Sequence, residues 1–367
     1  MAETTNTRQV LRRAICSELQ MPFFRRFANG QLSPDSTSTQ TLIKDATLTQ
    51  TDAFWNGHWF YGITGEDMSI IRSFSNAGHS FIPEIGIAAS SNTEEPYEIH
   101  SLWNAAEIHN AINRAIDIAK RIFTDTVRDA SMILEQDKLS YTISGLTKVP
   151  FAVHKVWLEN PASIYRGQAS AGGASTITVQ SVPSDITTNW KISIYDKTGK
   201  GQIRNYVSAV GLVVTVDSAW TTQPDSTSKY AIWDASEELY DWIPLDTWYT
   251  DAPEFPDTIN FRSRMASYYG VRIRIEYESL PTALTTDAST TIVPKEYIVS
   301  KACSILHGQK LNDTKVDQQS HYAENQRYSE DADKYLINNA PHIPASTIKS
   351  HEQRTYIEDE DPLGWNR

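Results

Sequence analysis

The stretch closest to a chemical motif in this chain is Thr198-Gly199-Lys200-Gly201, which shares the glycine and lysine of a phosphate-binding loop. Such a loop needs a further glycine upstream and leads from a strand into a helix. This chain lacks that glycine, and alternating apolar residues on both sides of the stretch indicate two strands. We therefore predict a hairpin turn here. We find no nucleophile elbow, zinc-protease helix, EF-hand loop or dinucleotide fingerprint in the sequence.

The spacing of the cysteines and histidines does not favour a metal site or a disulfide. The two cysteines, Cys16 and Cys303, are far apart, and the nine histidines are dispersed along the chain. Neither pattern matches a zinc site or a disulfide framework. We predict no metal, no cofactor and no catalytic residues, and we expect a reducing compartment.

Acidic and aromatic residues are crowded between residues 240 and 257. Two of the carboxylates could serve as the acid and base of a glycosidase, and the rings of Trp242, Trp248 and Tyr249 could stack on sugars. Aromatic clusters in β-rich sequence more often form core or subunit contacts. Glycoside cleavage and carbohydrate or receptor binding therefore stay open as alternatives. The carboxylates concerned are Asp241, Asp246, Asp251, Glu254 and Asp257.

The net charge of −12 argues against a general binder of nucleic-acid backbones, which concentrates lysine and arginine on one face. It is compatible with a protein past which DNA slides without binding. No apolar run reaches the 18 residues of a membrane span, and the first 20 residues do not read as a signal peptide. At 367 residues the chain exceeds the usual size of a single core, so we expect a soluble protein of two or three domains.

The clearest secondary-structure signal is the stretch Asn104 to Phe123. Its four isoleucines and several alanines recur on one face at a helical period, with Asn, Asp, Lys and Arg on the other. Asn104 and Glu107 have the spacing of a capping box, which fixes the start of the helix. We predict an amphipathic helix with β-like sequence on both sides.

Three further helices are predicted. The first covers about Thr7 to Gln20, with Arg8, Arg12 and Arg13 opposite its apolar face, and a later one starts at Pro294 and ends near Gly308. A more polar helix, about Thr314 to Leu336, has few apolar residues and is expected to pack in an assembly. The acidic stretch Asn338 to Arg367 is expected to be extended and to order only against a partner.

The β-like sequence contains an internal repeat. The unit Thr41 to Ile99 and the unit Thr176 to Ile232 each open on a threonine-containing strand and close on a Tyr-x-Ile strand. A tryptophan, an arginine and a tyrosine recur at nearly equal spacing in both units: Trp59, Arg72 and Tyr97 in the first, and Trp190, Arg204 and Tyr230 in the second. After the second unit, the stretch Val271 to Glu278 alternates apolar and charged residues, which predicts a half-exposed antiparallel strand.

The order of these segments resembles virion proteins of tailed bacteriophages, specifically the head-to-tail adaptor or connector proteins of the neck. The segments, in chain order, are the arginine-rich helix, FWNGHWF, PYEIH, EIHNAINRAI, YTISGLTKV, RIRIEYESLP and VPKEYIVSKACSIL. The resemblance implies a non-enzymatic protein of the virion neck, assembled in the host cytoplasm. It also implies a homo-oligomeric ring, typically of twelve copies, between the portal protein and downstream neck or tail proteins. DNA would pass through the ring without specific binding, and no membrane would be involved.

The fold class expected from this reading is α+β, a small α-helical bundle with two inserted or appended antiparallel β units, sandwich- or barrel-like. The expected domains are an N-terminal helix and linker (1–36), a small β domain (37–100), a central helix (101–138), a β domain carrying the second repeat at about 174–233 (139–281), C-terminal helices (282–337) and an acidic tail (338–367). Candidate residues of the assembly interface are Arg12, Arg13, Tyr322, Tyr328, Tyr335 and Trp365.

Overall fold

The contacts of the chain divide it into two units. A computed structural model describes residues 6–20, 28–31, 42–45, 47–86, 96–161, 164–184, 186–187, 189–235, 242–313 and 315–339. Unit 1 consists of the residues up to Thr124 together with those from Pro281 onward through the last helix, and unit 2 is Asp125–Leu280. The predicted acidic tail beyond Asn339, with Trp365, lies outside the described residues.

Unit 1 contains four helices and a six-stranded sheet among its described residues. The helices are α1 (Arg8–Gln20), α2 (Ala105–Ala119), α3 (Lys295–Lys310) and α4 (Gln318–Asn339). The strands are β1 (Ala28–Gln31), β2 (Ile43–Lys44), β3 (Trp59–Gly62), β4 (Met68–Ser75), β5 (Ser80–Pro83) and β6 (Pro96–His100). The sheet order is β1-β6-β3-β4-β5-β2.

The predicted amphipathic helix is present as α2, and its start is confirmed. The side chain of Asn104 accepts from the backbone N–H of Glu107, and the carboxylate of Glu107 accepts from the backbone N–H of Asn104. The helix ends at Ala119, earlier than predicted, and Phe123 still reaches the same core. Its isoleucine face packs with α1, α3 and α4 around one helical core.

Among its described residues, unit 2 is built mainly from strands and contains a short 3₁₀ helix at Ala266–Tyr268. The strands that precede the second repeat are β7 (Asp125–Ile133), β8 (Ser140–Thr142) and β9 (Ala152–Glu159). The second repeat holds β10 (Tyr165–Gln168), β11 (Ala171–Gly172), β12 (Thr176–Thr178), β13 (Trp190–Asp196), β14 (Ile203–Val210), β15 (Val213–Val216) and β16 (Lys229–Asp234). The strands that follow it are β17 (Trp242–Pro244), β18 (Trp248–Thr250), β19 (Thr258–Phe261) and β20 (Arg272–Ser279).

The second repeat is inserted between two paired strands of unit 2. Strand β9 ends at Glu159, and the next strand outside the repeat, β17, starts at Trp242, directly opposite Glu159. A four-stranded sheet with the order β17-β9-β20-β7 and a three-stranded sheet with the order β18-β19-β8 form the host of the insertion. The inserted residues form a seven-stranded sheet of their own.

The strand order of the two modules supports the predicted repeat. The second sheet has the order β10-β16-β13-β14-β15-β12-β11, which matches the first sheet strand for strand, with β11 added at the end. Tyr97 lies opposite Gly30 and Tyr230 lies opposite Gly167, so these tyrosines are equivalent. Each tyrosine hydroxyl also bonds a residue just after β2 or after its equivalent, β12. The partner is the carboxylate of Asp45 in the first module and the backbone N–H of Gln180 in the second.

The other landmarks of the predicted repeat are not equivalent in register. Trp59 lies opposite His100, three residues after Tyr97, whereas the residue opposite Trp233, three after Tyr230, is Lys191. The modules therefore share a topology and one tyrosine, while the spacing of tryptophan and arginine agrees only by approximation.

The predicted fold class is wrong. The described chain is mostly β, with sheets of six, seven, four and three strands and four α-helices, so it is not a helical bundle that carries two small β units. The error arose because a helix gives one long periodic run that is easy to recognise in the sequence. Strands of two to nine residues give weak signals and are stabilised by backbone bonds to distant partners.

Candidate functional site

The most distinctive cluster of functional groups in unit 1 is a buried charge network centred on Arg12. The guanidinium of Arg12 is fully buried and donates to both carboxylate oxygens of Glu98, at 2.7 and 3.2 Å. It also donates to both oxygens of Asp287, at 2.6 and 2.8 Å. Paired hydrogen bonds of this kind are the strong form of an arginine–carboxylate contact. Arg12 thus joins α1 to β6 and to the segment that precedes α3.

Two more arginines complete the network. Arg8 donates to Glu66 at 2.5 Å and to Asp287 at 3.0 Å, and Arg13 donates to Glu98 at 2.9 Å. The three guanidinium groups match three carboxylates, so the cluster carries no net formal charge. Such pairing is what allows ions to be buried, because an unpaired charge there would lose its hydration without compensation.

The pKa shifts follow from this arrangement. Burial raises the pKa of Glu98, but hydrogen bonds from His100 and Arg12 outweigh burial and hold that pKa well below its usual range. The pKa of Asp287 is likewise lowered, because its bonds to Arg12 and Arg8 outweigh burial. Burial and the positive charges of Arg12 and Arg8 lower the pKa of His109 to about 3. His109 is therefore neutral at pH 7, and its Nε2 accepts from Arg12 at 2.8 Å.

A cysteine, a histidine and a glutamate are also lined up at this cluster. Cys16 Sγ lies 3.4 Å from His100 Nδ1, and His100 Nε2 lies 3.2 Å from a carboxylate oxygen of Glu98. This is the order of groups in a thiol nucleophile activated by a histidine. All three side chains are buried, however, and burial raises the pKa of the Cys16 thiol far above its usual value. A thiol in that state is a packing group and not a nucleophile.

The candidate interface residues fall in different surroundings. Arg12 is fully buried and Arg13 is partly exposed, both within the network above. Tyr328 is buried in the helical core, and Tyr335 packs against that core from its edge. Tyr322 is 53% exposed on α4, so it is the candidate among the described residues with the most open side chain. Among the described candidates, the two arginines therefore lie on α1 and the three tyrosines on α4.

Tyr328, a candidate interface residue, is buried among other rings of the same chain. It stacks on His307, whose Nδ1 lies 2.8 Å from Nδ1 of His321, and Trp103 packs edge-on against both rings. One histidine must donate and the other accept. Although the sequence of α4 is mostly polar, this part of the helix contributes to a buried cluster of aromatic and imidazole rings.

The aromatic residues considered for sugar binding do not form a platform. Trp248 is buried and lies opposite Phe261 in the register of the sheet. Tyr249 points to the other face, as neighbouring residues on a strand do, and is exposed. Trp242 lies against the guanidinium groups of Arg272 and Arg274, at 5.3 and 4.4 Å from its ring centre.

One carboxylate of that stretch, Asp251, has a structural role. Asp251 accepts from the backbone N–H groups of Asp257 and Thr258, at 3.1 and 2.9 Å, and so closes a turn. These backbone bonds lower the pKa of Asp251, whereas a glycosidase acid needs a raised pKa. Asp241 lies outside the described residues.

A further buried ion pair was missed because its residue was assigned to an exposed face. Arg272, predicted on the charged side of a half-exposed strand, is buried and binds Glu159 through two bonds of 2.8 Å. That prediction is wrong for Arg272 and Glu276, which are both buried on β20. The buried pair closes the point where the inserted module leaves the host sheet, at the end of β9.

Two clefts of about 230 and 220 Å³ lie in unit 2 along β7. The acid of the first, Glu135, already bonds Lys138 at 2.5 Å. The stretch Thr198 to Gly201 is a turn between β13 and β14, as predicted. Within the described residues no group of three or more His, Cys, Asp or Glu is placed to hold a metal ion, and none of their helices could span a membrane.

No protein-family model matches this chain, and no curated protein matches it either.

Proposed function

We propose that this chain is a structural protein of a tailed-phage virion, a head-to-tail adaptor that forms a ring between the portal and the downstream neck or tail proteins. The observation that carries the proposal is the order of segments along the chain, from the arginine-rich first helix to VPKEYIVSKACSIL. In this proposal DNA passes through the ring, and the chain performs no reaction.

The helical part of unit 1 supports this proposal. The segments that carry the resemblance at both ends of the chain, α1 and α3, pack with α2 and α4 around one core. The Arg12 network then fixes the first β module to these helices through paired ions. Paired, charge-assisted hydrogen bonds of this kind give the contact between module and helices a defined geometry.

The exposed side of α4 supplies surface for neighbouring subunits. Only three residues of this 22-residue helix are buried: His321, Tyr328 and Ala332. Tyr322 and Ile337, at 53% and 80% exposure, are large side chains on the open side. Aromatic residues are enriched at protein interfaces, so this face is suited to a lateral contact. The net charge of −12 suits a channel that does not hold DNA.

The proposal is tested by mixing the purified chain with portal rings of the same phage. We expect a chain ring to bind the portal, seen as a shift in sedimentation and as rotationally symmetric particles in negative-stain electron microscopy. A chain that stays monomeric and leaves the portal unbound, at micromolar concentrations of both, would contradict the proposal.

A further inference from the structure

The hairpin formed by β14 and β15 exposes an apolar tip. Val207, Val210, Leu212 and Val213 are between 40% and 81% exposed, and Gly211 makes the turn with a positive φ of 58°. The alternate residues Val214 and Val216 are buried in the module core. The outer side chains are thus surplus to that core.

This hairpin also has an open backbone edge and no charge. Strand β14 pairs with β13 only over Ile203–Asn205, and in the described chain no other strand covers the same side of residues 206–210. Residues 205–216 contain no charged side chain. Natural sheets usually protect such an edge with charges, proline or a covering segment. An unprotected edge is a template for pairing with another strand.

The first module provides an internal comparison, because it has the same topology. Its equivalent hairpin, β4 and β5, has the polar turn Asn76-Ala77-Gly78-His79. The backbone N–H of Asn76 bonds Asp52, and His79 Nδ1 lies 2.8 Å from the carbonyl oxygen of Leu48. This fold therefore forms with a polar turn, and it does not require the apolar turn residues that the second module has.

We propose that the β14–β15 hairpin forms a contact between neighbouring copies of this chain. In this contact the apolar tip is buried against the next copy, and the open edge of β14 pairs with one of its strands. A partner that satisfies the open N–H and C=O groups must present an extended backbone. A second copy can approach here in spite of the charge of −12, because the hairpin carries none of that charge. This inference rests on the proposed ring.

The size of the tip decides what kind of contact it makes. Four aliphatic side chains fall far short of the roughly 800 Å² that each partner buries in a stable dimer. The contact is therefore weak between two isolated chains. In a closed ring it is repeated at every subunit boundary, alongside other lateral surfaces, and the repetition stabilises the assembly.

The test replaces two exposed tip residues in the full chain, Val210→Asp together with Leu212→Asp, and measures ring formation in the presence of portal. We expect the assembled fraction to fall about tenfold or more, because charges are placed in an apolar contact. Both side chains are exposed, so the circular-dichroism spectrum and melting temperature of the monomer should be unchanged. The matched control is Ala77→Asp in the first module, which should assemble like the unmodified chain.

A second measurement uses the unmodified chain and so does not depend on folding of the variant. Hydrogen exchange at residues 206–210 should slow on assembly, while residues 75–80 should exchange at the same rate in monomer and ring. Rings that form normally from the Asp variant, or exchange at residues 206–210 that does not slow, would overturn the hairpin contact and leave the adaptor proposal standing. An unmodified chain that forms no ring would overturn the adaptor proposal itself.

Discussion

Arg12 shows how a single residue can hold several distant parts of the sequence together. Its carboxylate partners, Glu98 and Asp287, lie 86 and 275 residues away along the chain. Taking these charges out of water is costly, and only the complete set of bonds compensates for it. Removing the central cation should therefore cost far more than removing a peripheral one.

Replacing Arg12 with Met should destabilise unit 1 by about 3–5 kcal/mol, because it leaves two buried carboxylates without their main cation. The control is Arg13→Met, whose side chain is 36% exposed and whose partner Glu98 keeps Arg12, so its cost should stay below about 1 kcal/mol. The loss of stability in both variants is measured by urea unfolding, monitored by hydrogen exchange at the amides of α1 and β6. Equal losses in the two variants would show that Arg12 is not the centre of the network.

The depressed pKa of His109 predicts a pH dependence of stability. Because this pKa is about 3 in the folded chain and 6.5 in the unfolded one, only the unfolded chain takes up a proton at this site between those values. Stability should then fall by about 1.4 kcal/mol for each pH unit below 6.5 at this residue. His109→Gln keeps an acceptor for Arg12 and should make stability less dependent on pH between 6 and 5. Unchanged pH dependence in that variant would mean that His109 is already protonated when folded.

At the residue scale the sequence showed the arginines and not their partners. Arg8 and Arg12 are four positions apart on one helix, so their common face was predictable. That this face is buried was not predictable, since the acids that neutralise it come from β6 and from the segment before α3. Arg12, a candidate residue of the assembly interface, is for that reason buried within a single chain.

At the scale of elements, α2 is the helix that the sequence specifies best, because its cap and its apolar face agree. Asn104→Ala removes the side chain that caps the helix and should cost about 1 kcal/mol of stability in unit 1. Asn110→Ala, at an exposed position within the same helix, should change stability by less than about 0.5 kcal/mol. Thermal unfolding of the two variants makes the comparison, and a loss for Asn110→Ala as large as for Asn104→Ala would contradict the capping role.

Gly270 lies in the turn before β20, where the inserted second module packs closely against the backbone. It has a positive φ of 87°, and an added Cβ would lie 2.8 Å from the ring of Tyr195. Gly270→Ala should therefore destabilise unit 2 by about 1–3 kcal/mol, from backbone strain and displacement of the ring. Gly145→Ala, where the added carbon meets no atom within 4 Å, is the control. Hydrogen exchange in β20 would report the difference, and equal protection in both variants would refute the packing role.

Other elements were only partly predictable. The sequence predicts a central helix at residues 101–138, and it does not predict strand β7 within that range. The strand's alternation of polar and apolar residues is interrupted at Asp129, whose carboxylate is buried and accepts from Ser131 and Thr147. The repeat was visible through Tyr97 and Tyr230, which hold equivalent places. The pairing of strands could not be read, since backbone bonds between distant segments leave no local pattern.

At the scale of the whole molecule, the two modules of one topology differ in what they present. The first is fixed to helices by the Arg12 network, and the second is inserted into a β host and presents an apolar hairpin. The sequence suggested the repeat and the insertion, but it overestimated the helical share because helices are easier to recognise than short strands. The proposed ring would be built from a mostly β chain with a small helical core.

The most direct test of the account is the position and copy number of this chain in purified virions, determined by cryo-electron microscopy of the neck. We predict a closed ring of twelve copies directly beneath the portal, with the β14–β15 hairpin at the boundary between subunits. Density at the distal end of the tail, or a few copies arranged as trimers there, would contradict it.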